Sequence, residues 1–186
     1  MPHYNFYGAD RTDGIKSITN EYPGINSPKD LYDALSEIWC AETCAPRMRD
    51  EWSKENKTLG QCSITAFLAQ DIFGGKVYGI ERPGGNFHCY NVIECLNQTQ
   101  TEFENKLNSA VIKVLGDNRI SDASTNNPSD KLGSLCVFDL TSEQFGSEVL
   151  NYENNPEQFR EIHFAKEEKR LRYEYLKAKL LELKLR

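Results

Sequence analysis

Histidine is scarce in this chain: among 186 residues only His3, His88 and His163 occur. Any chemistry that needs an imidazole base must use one of these three. Long apolar runs are missing as well. Nothing approaches the ~20 residues that a membrane-crossing helix requires, so a helical span is excluded. The stretch Met1-Pro2-His3-Tyr4-Asn5-Phe6 has neither a basic n-region nor an apolar h-region, and no signal peptide is expected. Positive charge is in deficit, with 22 Lys and Arg against 28 Asp and Glu and a formal net charge of −6. That balance argues against nucleic acid or an anionic membrane as a partner. Internal repeats are absent. What remains is an ordinary polar chain, 39% hydrophobic with a mean hydropathy of −0.63. It is long enough for one domain with a real core, residues 1–186. Six cysteines in such a chain are read as reduced thiols, and the cytoplasm is the expected location.

Local signals divide the chain. Residues 1–26 are aromatic, glycine-rich and aperiodic, and read as an N-terminal arm. Ser27-Pro28-Lys29-Asp30 is a helix start, with a Ser N-cap, Pro at the first helical position and an acid in the first turn. Leu31, Leu35, Ile38 and Trp39 then predict an amphipathic helix over 28–40. A second helix is predicted from Cys62 to about Phe73, stopped by Gly74-Gly75. The period then changes to two, giving strands over 76–81 and 87–96 around the turn Pro83-Gly84-Gly85-Asn86, and a third over 135–140. Residues 97–133 interrupt the sheet, with a helical piece over 101–115 and a polar, turn-rich loop over 121–134. The charged C-terminus, 164–186, is predicted as a helix carrying Tyr173, Leu176, Leu180 and Leu183 as one stripe.

The chemistry concentrates at the start of the second helix. A helix N-terminus carries partial positive charge and unpaired N–H groups, both of which stabilise a thiolate. Cys62 is placed there, in Gly60-Gln61-Cys62-Ser63-Ile64. The same N–H groups suit the oxyanion of an attacked carbonyl. His88, on the second strand, supplies an imidazole, and Asp139, at the end of the third, supplies a carboxylate to fix its tautomer. Alternation along the strand sets Phe87 and Cys89 opposite to His88 and Tyr90, so that His88 faces the helix while Cys89 packs elsewhere. Gln61, Tyr90 and Asn91 are the candidate oxyanion or substrate-binding residues.

Each residue has a plainer reading. A cysteine in an apolar helix is often a small buried hydrophobe. A strand histidine is often structural, and Asp139 would serve equally to cap the turn after it. Structural zinc is the chemical rival, since Cys40 and Cys44 lie one turn apart. They lack the C-x₂-C turn that zinc prefers, however, and adjacent His88 and Cys89 point to opposite strand faces. Cys136 reads as core. His163 shows no partner and is read as structural.

Three blocks together resemble the YunG-like family of small uncharacterised bacterial proteins. They are Gly60 to Gly75, His88-Cys89-Tyr90-Asn91, and Phe138-Asp139-Leu140-Thr141-Ser142-Glu143-Gln144-Phe145, with Arg172-Tyr173-Glu174-Tyr175-Leu176 similar to the family's closing helix. The resemblance implies a papain-like cysteine-hydrolase fold, α+β, with N-terminal helices packed on a small antiparallel sheet. It implies Cys62, His88 and Asp139 in the matching positions. The family passes quickly from the His strand to the Asp strand, so 97–133 reads as an insertion. The oxyanion glutamine of papain-like peptidases lies several residues before the nucleophile, whereas Gln61 is adjacent, leaving the Cys62 N–H as the main oxyanion donor.

The expectation is therefore a cysteine-dependent hydrolase or acyl transferase acting on an amide or related acyl bond of a small-molecule or peptide substrate. No cofactor and no metal is required. The alternative is a non-catalytic binding protein that keeps the papain-like fold. A homodimer through the C-terminal helix is open to either reading.

Overall fold

A computed structural model describes residues 4–95 and 134–184. The helical piece and polar loop expected between 97 and 133 lie outside the described residues. The chain falls into two compact units, one of residues 1–93 with 136–186, the other of residues 94–135. Of the second unit only Glu94, Cys95, Ser134 and Leu135 are described. Everything below concerns the first unit unless stated.

Helix α1 spans Pro28–Ile38 and begins as its sequence requires. Ser27 Oγ accepts the Asp30 N–H at 3.3 Å and donates to the Asp30 carboxylate at 2.9 Å, which satisfies an orphan donor of the first turn. Helix α2 spans Cys62–Phe73 and ends at Gly74. It is buried on nearly every side, from Ser63 through Ala69 and again at Ile72 and Phe73, as expected of an apolar helix at the centre of a core. Three strands follow, β1 at Lys76–Arg82, β2 at Asn86–Cys95 and β3 at Ser134–Phe138, in the order β1-β2-β3. The β1–β2 pairing is antiparallel, with Tyr78 opposite Tyr90 and Ile80 opposite His88. The fold is thus α+β. Short α3, Arg160–Phe164, leads into α4, Glu167–Lys184, which packs on α1 and α2. Tyr173, Leu176 and Leu180 are all buried within the chain. Among the described residues no helix is long and apolar enough to cross a membrane.

The stretch expected as an arm contributes to the core through Phe6, Ile15, Tyr22 and Ile25, each no more than 4% exposed. Tyr7 forms a β-bridge to Asp139, its carbonyl accepting the Asp139 N–H at 3.0 Å. Gly8 makes this approach possible. Its φ is +79°, and a Cβ there would stand 2.1 Å from the Val137 carbonyl oxygen.

Cys40, Cys44, Cys62 and Cys89 are free thiols, whereas Cys95 and Cys136 are disulfide-bonded. This corrects the expectation of six reduced thiols and of Cys136 as simple core. Disulfide pairing follows tertiary proximity, which neither composition nor local spacing reports.

The start of α2 is held by the other end of the chain. Buried Arg172, on α4, donates to the Thr43 carbonyl at 3.0 Å and the Gly60 carbonyl at 3.4 Å, with Glu168 at 2.9 Å balancing its charge. Gly60 also accepts the Ala45 N–H at 3.0 Å. Its φ of +68° and the crowding of a Cβ against Cys44 Sγ (2.7 Å) and Ala45 N (2.9 Å) leave no room for a side chain. Gly60→Ala is therefore expected to destabilise the protein by on the order of 2 kcal/mol. The check is the urea midpoint at unchanged m-value; a loss under about 0.5 kcal/mol would show that this turn adapts freely.

Candidate active site

Cys62 is the first residue of α2. Gln61 before it has φ −94° and ψ −10° and offers no side-chain cap. Among the described residues no acceptor takes the Cys62 or Ser63 N–H, so two donors remain open at the helix mouth. Cys62 Sγ lies 3.9 Å from the Phe87 carbonyl oxygen, beside the β2 backbone. There the Cys89 thiol and the His88 imidazole both act electrostatically on the sulfur. The expectation that Cys89 would pack away from Cys62 is corrected. All of His88 to Asn91 are buried, so alternation does not separate a wet face from a dry one, and both neighbours act on the thiol.

His88 Nε2 stands 2.5 Å from Asp139 Oδ2, and both side chains are 1% exposed. The Asp139 carboxylate is held from every side. Thr141 donates to Oδ1 from its N–H at 3.0 Å and from its hydroxyl at 3.1 Å. Tyr152 donates its hydroxyl to Oδ2 at 2.9 Å, and its ring stacks on Tyr7 at 3.9 Å. With Nε2 held by the carboxylate, Nδ1 is the ring nitrogen free of it, and its contact is the Gln144 Nε2 at 3.5 Å. Phe145 closes on the imidazole edge-on at 4.6 Å. The Gln144 amide bridges the site, accepting the Gly60 N–H at 3.3 Å and donating to the Thr141 carbonyl at 2.9 Å.

These contacts set the charges. Burial alone would lower the pKa of His88, but the Asp139 carboxylate and then the Cys62 sulfur outweigh it and lift the imidazole to about 10. The Cys62 thiol is drawn well below its ordinary value, first by the hydrogen bond from Cys89 and then, against burial, by His88. Cys89 moves the opposite way, raised by the same hydrogen bond and by burial. Of the two thiols only Cys62 has a helix N-terminus as well, so it is the one that ionises. The arrangement can hold a thiolate beside an imidazolium at neutral pH.

A cleft of about 580 Å³ opens on this pair, reaching Cys62, Ser63, His88 and Gln144. Gln61, Tyr90 and Asn91 do not line it. Gln61 is fully buried, its amide donating to the Cys40 carbonyl at 3.1 Å while its Oε1 has no partner among the described residues. Tyr90 donates to the Tyr152 carbonyl at 2.9 Å, and Asn91 ties β2 to α2 through the Ala66 carbonyl at 2.9 Å. His163 has partners after all: it lines the cleft between Gln158 and Lys169. Tyr152 lies in an aperiodic stretch that carries no sequence signal. Gln144 stood inside a quoted motif, and only its place there pointed to it.

The model of a family described as "YunG protein" matches residues 27–131, more than half of the chain, and the protein belongs to that family. The matched span contains Cys62 and His88 and ends before Asp139. No curated protein and no solved structure matches the chain.

Alkylation of Cys62 by iodoacetamide should be nearly independent of pH from about 6 to 8, where a simple thiol gains about tenfold per pH unit below its pKa of ~8.5. His88→Ala should restore that slope by removing the imidazolium. A steep wild-type profile, or one indifferent to His88→Ala, would break the pair. Tyr152→Phe should cost about 1 kcal/mol in a denaturant titration, because one acceptor position on a buried carboxylate loses its donor.

Proposed function

We propose that this YunG-family protein is a cysteine-dependent hydrolase or acyl transferase of papain-like type, acting on an amide or related acyl bond. The observation that carries the reading is the buried 2.5 Å contact of His88 with Asp139, with the imidazole and the Cys62 thiol at the mouth of α2 lining one cleft. A structural histidine needs no thiol partner, and a core cysteine needs neither open helix N–H groups nor a cleft.

The thiolate of Cys62 attacks the acyl carbon of a substrate in the cleft. As the S–C bond forms, the carbonyl electron pair moves to oxygen, where the Cys62 and Ser63 N–H groups receive it. His88 gives its Nδ1 proton to the leaving nitrogen while the C–N bond breaks, releasing an amine and leaving a thioester on Cys62. A water or acceptor hydroxyl then loses its proton to His88 and attacks the thioester. Collapse expels the thiolate, frees the acyl product and restores the imidazolium. Throughout, Asp139 accepts the Nε2–H and keeps the ring in one orientation. Gln61, Tyr90 and Asn91 serve this scheme by holding the helix and strand in place.

Incubation with fluorogenic acyl amides and thioesters, followed by mapping of the trapped acyl group, tests the reading. The acyl group should map to Cys62, and Cys62→Ser and His88→Ala should each lower turnover by at least about 100-fold. The pH profile is fixed in sign. The acid limb follows protonation of the thiolate, well below the ordinary thiol range. The alkaline limb follows loss of the His88 proton, since a base raised to about 10 donates at neutral pH and ceases to donate above that value. Acylation on Cys89, or no trapped acyl group with any probe, would favour a non-catalytic binding protein.

A further inference from the structure

The cleft is basic although the chain is acidic. Five cationic side chains line it, Arg47, Arg82, Lys166, Lys169 and Arg172, against Glu51 and Glu168, in a protein of net charge −6. Two of the five are already neutralised. Arg82 forms a double hydrogen bond with Glu148 at 2.6 and 3.1 Å, and Arg172 is held by Glu168 and two backbone carbonyls. Among the described residues Arg47, Lys166 and Lys169 have no carboxylate partner.

Lys169 is the unusual one. Arg47 and Lys166 are exposed and hydrated at little cost, but Lys169 is half-buried. An unpaired ammonium so placed is costly unless something negative meets it. Its one polar contact is His163, whose Nδ1 is 3.0 Å from Lys169 Nζ. His163 Nε2 lies 3.0 Å from Gln158 Oε1, a pure acceptor, so Nε2 carries the ring proton and Nδ1 is left to accept from the ammonium. Burial first and then Lys169 hold His163 down to about 4, which keeps the ring neutral. Gln158 and His163 therefore aim the ammonium without cancelling its charge. Lys169 and Cys62 line the same cleft, and the Cys89 and Cys62 sulfurs bear electrostatically on the ammonium. His163 lies in the last turn of the short α3, Lys166 lies in the link, and Lys169 and Arg172 are on α4, so the segment from 163 to 172 brings all four to the cleft.

Resting on the reading of Cys62 as the nucleophile, we infer that the natural substrate carries a carboxylate close to its reacting acyl group and that the Lys169 ammonium binds it. A single half-buried ammonium matches a single negative charge better than a dianionic phosphate. Lys166 and Arg47 at the rim add attraction at longer range.

Two alkylating agents of nearly equal size test this on the intact protein. Iodoacetate carries the carboxylate and iodoacetamide does not; both form a bond from Cys62 sulfur to the methylene carbon and expel iodide. The quantity read is the iodoacetate/iodoacetamide rate ratio at Cys62, relative to the same ratio for a simple thiol. The wild type should favour iodoacetate, and added salt should reduce that preference. Lys169→Met keeps the apolar stem and should lower the ratio about fivefold, whereas Lys169→Arg should retain most of it. Exposed Lys166→Gln should give a smaller fall, and it keeps the test decisive if Lys169→Met fails to fold. Reaction with both reagents at a simple-thiol ratio overturns the inference and leaves the hydrolase reading standing. So does a preference unchanged by Lys169→Met, or by Lys166→Gln should the former not fold, because the His88 imidazolium then suffices. Failure of both reagents to modify Cys62 overturns the hydrolase reading and this inference with it.

Discussion

Everything in the site depends on one buried contact between opposite charges, His88 with Asp139. Removed from water, either ion alone would be costly, and the cost is met by completing the hydrogen bonds of both. Asp139 has donors from Thr141, Tyr152 and His88, and its own N–H is paired with Tyr7. The carboxylate is therefore held in place, and its charge keeps the imidazole protonated. Cys89 first and then that imidazolium draw down the pKa of Cys62. One line of cause thus runs from the aperiodic N-terminal segment and Tyr152, through Asp139 and His88, to sulfur. Much of the machinery is several residues removed from the reacting atom.

A second constraint acts from the helix side. A thiolate needs the open end of α2 to face the cleft, so the turn before it must be tight and the segment behind it immobile. Gly60 provides the turn and Arg172 the anchor, by binding the Thr43 carbonyl and sharing the Gly60 carbonyl with the Ala45 N–H. The half-empty hydrogen-bonding of the α2 mouth is then a tolerated defect in a rigid frame. The site leaves these N–H groups open towards the cleft and satisfies their neighbours elsewhere.

The parts legible in the sequence were those with local signals. Helix α1 announced itself through Ser27 and Pro28, α2 through its apolar run and Gly74, and the β1–β2 hairpin through Pro83-Gly84-Gly85-Asn86. Residue type and order singled out Cys62, His88 and Asp139, and the structure pairs His88 with Asp139 and opens one cleft on Cys62 and His88. What was hidden is what depends on tertiary contact. Phe6, Ile15 and Tyr22 enter the core without any period to mark them. Alternation wrongly separated Cys89 from Cys62, since a strand buried on both faces has no outward side. Gln61, Tyr90 and Asn91 were chosen by proximity in sequence, but adjacent residues diverge in space and their polar groups met scaffold carbonyls instead. The disulfide-bonded state of Cys95 and Cys136 had no motif. The basic cleft lining of Lys166, Lys169 and Arg172 was lost within a charged segment that read as merely solvated.

The anchoring role of Arg172 has a consequence for how the protein is made. Residues 43–62 leave the ribosome long before residue 172 does, so for most of synthesis the mouth of α2 lacks the guanidinium that holds its approach in place. Asp139, which charges the imidazole, also emerges well after Cys62. The frame around the mouth of α2 is therefore completed only when the helix that carries Arg172 docks.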